Sequence, residues 1–154
     1  GLAQSLTWTV VQQSVRASFP DVPALSTDSL AARLARGETP TLLDVRTAPE
    51  YAVSHLPGAR RLDPDAPDLA ALAGIPRDAP LVVYCSVGYR SAKMARRLRA
   101  AGFTDVENLE GSIFRWANEG RLVVRDGLPV REVHPYDAVW GRLLDPALRS
   151  HTPR

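Results

Sequence analysis

The sequence predicts an α/β fold: a parallel sheet with helices on both faces. Two apolar runs, TLLDV (41–45) and LVVYC (81–85), have the length and flanks of buried strands. Two other segments, STDSLAARLARGE and SAKMARRLRAAG, carry apolar residues at helical spacing. Strand-like and helix-like segments alternate along the chain, which implies crossover connections and therefore parallel pairing. With 154 residues, 45% of them hydrophobic, the chain can bury the core of one domain.

The elements follow in order. LTWTVVQQSVRASF places Leu6, Val10, Val11, Val15 and Phe19 near helical spacing and ends at Pro20, which predicts an N-terminal helix packed on the outside. Ser26 or Thr27 caps a second helix with Leu30, Ala31 and Leu34 inward and Gly37 as its stop. After the strand 41–45, a short helix begins near Pro49, a turn falls at Pro57 and Gly58, and a short strand runs over 59–62. Residues 63–79 read as a connection with one helical turn through Leu69 and Leu72. LVVYC is the strongest strand signal. The helix after it buries Met94, Ala95, Leu98 and Ala101 and stops at Gly102. DVENL and SIFRWANEG repeat the strand and helix once more. LVVRDGLPV is extended, and HPYDAVWGRLL wraps the domain. The organisation is thus a helical extension (1–25), a domain (26–130) and a packed tail (131–154).

Charge is nearly balanced, 19 Lys and Arg against 17 Asp and Glu, which argues against a nucleic-acid binder. No apolar run approaches the roughly 20 residues of a membrane span. One cysteine allows no internal disulfide, and His55, His134 and His151 are too scattered for a zinc site, so no metal is expected. A lone reactive thiol suits a reducing compartment, which makes a cytoplasmic location the expectation. Gly1 and Ala3 would suit a signal-peptidase cut, and a periplasmic location follows if a leader preceded them.

The lone cysteine lies in CSVGYRS (85–91), between a strand end and a helix start. In such sheets reactive groups gather there, because backbone N–H groups turn inward and favour negative charge. Gly88 permits a tight turn, and Arg90 brings a guanidinium to the end of the loop. The helix dipole and Arg90 both favour a thiolate, which makes Cys85 a candidate nucleophile rather than a small core residue. Arg96, Arg97 and Arg99 read as the solvated face of the helix.

At this point the chain resembles the rhodanese superfamily of sulfurtransferases. The resemblance runs from about Ser26 to Val130 and rests on ordered pieces: LLDVRTAPEYAVSHLPGA, LVVYCSVGYRS, the helix ending in AGF, and NLEGSIFRWANEG before GLPV. It implies a rhodanese-like fold with a central five-stranded parallel sheet, and a thiosulfate sulfurtransferase activity. Cys85 would accept sulfane sulfur as a persulfide from a small anionic donor such as thiosulfate. It would then pass the sulfur to a thiophilic acceptor: cyanide or a thiol, a protein thiol included. No cofactor is implied beyond that covalent persulfide.

The resemblance assigns Ser86, Val87, Gly88, Tyr89, Arg90 and Ser91 to the persulfide cradle, with Asp44, Arg46 and Glu50 bracing the loop. His55 resembles a residue that anchors the turn before Pro57 and is not expected to be catalytic. Relatives with five residues between Cys and Arg act as phosphatases or arsenate reductases; Cys85 and Arg90 are separated by four, which favours sulfur transfer. The alternative within the family is a sulfur carrier or protein-docking module with little small-molecule turnover. Many thiosulfate-using members carry a basic residue where this chain has Ser86, which leaves the donor open. One hypothesis for the tail is that His134, Tyr136 or Trp140 closes over the cysteine.

Overall fold

A computed structural model describes residues 6–66 and 68–154. Its centre is a five-stranded parallel sheet ordered β1-β5-β4-β2-β3. The strands are β1 (Ala24–Leu25), β2 (Thr41–Asp44), β3 (Arg60–Arg61), β4 (Leu81–Tyr84) and β5 (Val106–Leu109). The helices are α1 (Trp8–Ser18), α2 (Thr27–Ala35), α3 (Ala48–Val53), α4 (Tyr89–Ala100) and α5 (Ser112–Asn118).

Side chains alternate across the sheet, so each strand feeds two cores. Leu42, Val82 and Tyr84 pack on one face with Val11 and Val15 of α1, Leu30 of α2, and Ile113, Phe114 and Trp116 of α5. Leu43, Leu81, Val83 and Cys85 pack on the other with Met94, Ala95 and Leu98 of α4. β4 is buried along its whole length, which is why its sequence is an unbroken apolar run rather than an alternating one.

Local signals set the element ends. Thr7 caps α1 and Ser26 caps α2, each hydroxyl accepting a backbone N–H three residues on. Thr47 and Glu50 form a reciprocal capping box at α3. β1 lies within the segment read from sequence as an extension and pairs with β5 through Ala24 and Leu25. Two residues are too few to show a period, so this strand is silent in the sequence.

The segment 123–130 is a hairpin outside the main sheet, β6 (Val123–Arg125) paired antiparallel with β7 (Leu128–Val130). Asp126 and Gly127 both have positive φ, 53° and 74°, the conformation that a two-residue turn between twisted strands requires. Beyond it the chain returns to the domain: Val133, Leu143, Leu144 and Leu148 are buried in the first core. Asn118 at the end of α5 pins this return, donating to Leu143 O at 2.8 Å and accepting from Asp145 N–H at 2.8 Å.

β2 leads through α3 to the strand on one side, and β4 leads through α4 to the strand on the other. The order in which strands are added therefore reverses between the parallel neighbours β2 and β4. The crevice at their carboxyl ends is where an open α/β sheet presents its site. No helix among the described residues is long and apolar enough to cross a membrane.

Candidate active site

Cys85 leaves the carboxyl end of β4 and is buried. Its Sγ accepts hydrogen bonds from Gly88 N–H at 3.2 Å and from the Ser91 hydroxyl at 3.3 Å. Gly88 is the N-cap of α4 with φ of 121°. An added Cβ would find only ordinary contacts there, the nearest at 3.7 Å from Asn108 Nδ2. Backbone conformation, not space, is what demands glycine. The Gly88 N–H on the sulfur belongs to the N-cap of α4, so the positive end of a 12-residue helix meets the thiol.

Neighbouring segments hold the loop from below. Cys85 N–H donates to Ser112 Oγ at 3.2 Å, and that hydroxyl donates on to Leu109 O at 2.9 Å. Ile113 and Phe114 N–H groups donate to the carbonyls of Cys85 and Ser86 at 3.1 Å. Asn108 Nδ2 donates to Gly88 O at 3.0 Å. Ser112 itself has φ of 49° and is buried. Ser112 is the first residue of α5, and its hydroxyl serves the cysteine loop.

Arg90 sits at the end of the loop, as its position in the sequence suggests, but its guanidinium is turned to Glu50. The pair is bidentate, at 2.8 and 2.9 Å, and Arg90 Nη2 also donates to Ser86 Oγ at 2.9 Å. Ser86 in turn donates to Glu50 Oε2 at 3.1 Å. Burial alone would push the Glu50 carboxyl up. Hydrogen bonds and charge from Arg90, the charge of Arg46 and the Thr47 N–H outweigh it and hold the group at about 2. Glu50 is therefore an anion that fixes both Ser86 and Arg90, and the positive charge of Arg90 is largely matched before any substrate arrives.

Asp44 and Arg46 lie one layer deeper, both fully buried and paired through two bonds of 2.9 and 2.7 Å. The Tyr84 hydroxyl donates to Asp44 at 2.6 Å and accepts Leu56 N–H at 3.0 Å. Arg46 also donates to Ser54 O at 2.7 Å. Asp44 and Tyr84 are register partners on β2 and β4, so this network joins the two strand ends that bound the crevice. Burial and the Asp44 charge raise the Tyr84 hydroxyl well above its ordinary range, which keeps it a donor.

His55 is elsewhere. Its ring stacks on Tyr51 at 3.8 Å, and its backbone bridges to Val124, a structural position that ties α3 to the hairpin.

Above the sulfur the loop opens into a cavity of about 260 Å³, walled by Cys85 to Val87, Tyr89 and Arg90 and by Tyr136 and Trp140 of the tail. Arg90 lies 4.7 Å from the Tyr136 ring centroid, within cation–π range. Trp140 packs on Tyr89 with ring centroids 5.6 Å apart. Tyr136 has φ of 69°, which costs a side-chain-bearing residue about 1–2 kcal/mol. It is held there by His134 Nδ1, which accepts Tyr136 N–H at 3.0 Å, while Asp137 accepts the Val139 and Trp140 N–H groups. Of the three tail residues named from sequence, Tyr136 and Trp140 reach the cavity, and His134 supports one of them.

The structure thus gathers residues 85–91, Asp44, Arg46 and Glu50 at one crevice. Sequence reasoning missed Tyr84, Asn108 and Ser112. All three are polar groups in or beside β4 and β5, and only their contacts distinguish them. Among the described residues no cluster of three His, Cys, Asp or Glu side chains could hold a metal ion.

Comparison with known proteins points the same way. The family model for the rhodanese-like domain matches residues 26–119. A sulfurtransferase of Allochromatium vinosum is 35% identical over 103 residues, covering 67% of this chain and 95% of that protein. The thiosulfate sulfurtransferase GlpE of Pseudomonas fluorescens is 35% identical over 99 residues, 64% of this chain and 89% of that one. The crystal structure of a rhodanese-like domain protein from Staphylococcus aureus superposes with a TM-score of 0.60 at 29% identity, covering 68% of this chain and 99% of that one.

Proposed function

The chain belongs to the rhodanese-like domain family, and on that premise we propose that it is a sulfurtransferase in which Cys85 carries sulfane sulfur as a persulfide. The donor is a small anion such as thiosulfate, and the acceptor is cyanide or a thiol. One observation carries the reading: the buried Sγ of Cys85 sits at the start of α4 and receives both the Gly88 N–H and the Ser91 hydroxyl. Such a site stabilises negative charge that develops on a sulfur held there.

In the first half-reaction the Cys85 thiolate attacks the outer sulfur of thiosulfate. The donor S–S bond breaks, sulfite leaves with the bonding pair, and Cys85 holds a persulfide. The free N–H groups at the start of α4 stabilise charge on the terminal sulfur. In the second, a thiolate or cyanide takes that sulfur and the Cys85 thiolate returns. Asp44, Arg46 and Glu50 position the loop without touching the reacting sulfur. Four residues between Cys85 and Arg90, rather than five, make a cup that suits one bound sulfur better than a tetrahedral phosphate.

Steady-state kinetics test this. Two half-reactions through a covalent intermediate give parallel double-reciprocal lines for thiosulfate and cyanide. Intersecting lines, or no thiocyanate formed, contradict the reading. The second reading is a sulfur-carrier module. It draws on a match, 34% identical, to a piece amounting to 21% of a Mycobacterium tuberculosis protein named probable adenylyltransferase/sulfurtransferase MoeZ. A chain that loads sulfur yet turns over slowly with every small acceptor favours that reading.

A further inference from the structure

The cavity above Cys85 is larger and less polar than a cup for thiosulfate or cyanide requires. Its volume of about 260 Å³ approaches the lower end, about 300 Å³, of pockets that bind organic ligands. Its outer wall consists of Tyr136 and Trp140, supplied by a tail that lies beyond the family match to residues 26–119. Its one cation, Arg90, is already bound in bidentate fashion by Glu50 and covered by the Tyr136 ring. A dianion gains little from such walls, whereas an apolar or aromatic group gains contact with both rings.

We propose that the tail makes Cys85 selective for an organic thiol acceptor with an apolar arm, seated between Tyr136 and Trp140, over cyanide or small hydrophilic thiols. This rests on the persulfide reading above. The acceptor thiolate attacks the terminal sulfur of the Cys85 persulfide, the Cys85 S–S bond breaks, and its electron pair returns to Cys85 as thiolate. The product is the acceptor's persulfide, and no oxidant or reductant is needed.

Two features of the tail support a binding role. Tyr136 is 44% exposed and adopts a left-handed backbone, so packing alone does not account for its position. Asp137 accepts the N–H groups of Val139 and Trp140 at 3.0 and 2.7 Å, which fixes the turn presenting both rings. A wall held this way is preorganised, and the arm of a ligand pays little to order it.

The test uses the whole chain, loaded with thiosulfate and freed of excess donor. Discharge of the persulfide is timed with benzyl mercaptan, a thiol with an aromatic arm, and with 2-mercaptoethanol, a hydrophilic thiol of similar acidity. The readout is the ratio of the two second-order rate constants, so partial loading or partial loss of fold cancels within each variant. The expected ratio in the native protein is about tenfold or more in favour of benzyl mercaptan, the discrimination an apolar contact surface supplies. Tyr136→Ala is expected to bring it close to one, and Tyr136→Phe to retain it. A native ratio near one, or an undiminished ratio in both Tyr136→Ala and Trp140→Ala, overturns the inference and leaves the persulfide reading intact. If thiosulfate does not load the cysteine, inorganic polysulfide is the loading donor for the same measurement. A chain that neither donor loads overturns the persulfide reading, and this inference falls with it.

Discussion

Replacing Glu50 with glutamine removes one charge and almost no volume, and it strikes the group on which the loop depends. The carboxylate accepts from Thr47 N–H, the Thr47 hydroxyl, the Ser86 hydroxyl and both terminal nitrogens of Arg90. An amide must turn its NH₂ toward one set of these donors, so at least one bond becomes a donor–donor clash. Holding the folded carboxyl at about 2 instead of 4.5 is worth on the order of 3 kcal/mol, at about 1.4 kcal/mol per tenfold change in proton affinity. Arg90 keeps 26% of its side chain exposed, so screening reduces the expected loss at neutral pH to about 2 kcal/mol.

The pH dependence follows from the sign of the shift. A carboxyl depressed in the folded state stabilises fully above its unfolded value, and the contribution disappears as pH falls through the folded one. Urea unfolding of native protein and Glu50→Gln should therefore give curves separated by about 2 kcal/mol at pH 7. Most of that gap should close between about pH 4.5 and pH 2. Equal stability at pH 7, or a gap unchanged at pH 3, would refute the assignment of Glu50 as the charged anchor of the loop.

Three further substitutions probe the same construction. Gly88→Ala places a side chain at φ of 121°, costing about 1–3 kcal/mol; by moving the N–H that faces Sγ it should slow persulfide formation about tenfold or more in a stopped-flow assay. Ser112→Ala leaves the Cys85 N–H without its partner and should cost about 1–3 kcal/mol in chemical denaturation. Tyr84→Phe removes the bridge between Asp44 and Leu56 N–H, for a similar loss of about 1–3 kcal/mol. A native-like denaturation midpoint in either of the last two would show that water or a shifted backbone replaces the bond.

Much of the fold is legible because it obeys local rules. LVVYC reads as a buried strand since both of its faces are covered, and Ser26, Pro49 and Gly102 mark helix ends. β1 is illegible for the opposite reason: it is two residues long, and its pairing with β5 is wholly non-local. The Asp126–Gly127 pair turns the extended segment 122–130 into a hairpin.

At the site, residues 85–91 stand out because glycine, arginine and a lone cysteine share one short loop. The partners of that loop do not. Nothing in the sequence distinguishes Ser112 as a support for Cys85 from Ser112 as a helix cap. The orientation of Arg90 toward Glu50 rather than the sulfur is set by α3, 40 residues upstream of the arginine. Such facts live in the packing, where burial rewards a matched charge pair and penalises an open one.

The central claim is a sulfur carried on Cys85, and intact-mass measurement tests it most directly. After incubation with thiosulfate and removal of excess donor, the native chain should gain the mass of one sulfur atom and lose it on addition of cyanide. Cys85→Ser, with the same burial and nearly the same size, should gain nothing. A native chain that stays unmodified, or a Cys85→Ser variant that takes up sulfur equally, contradicts the account.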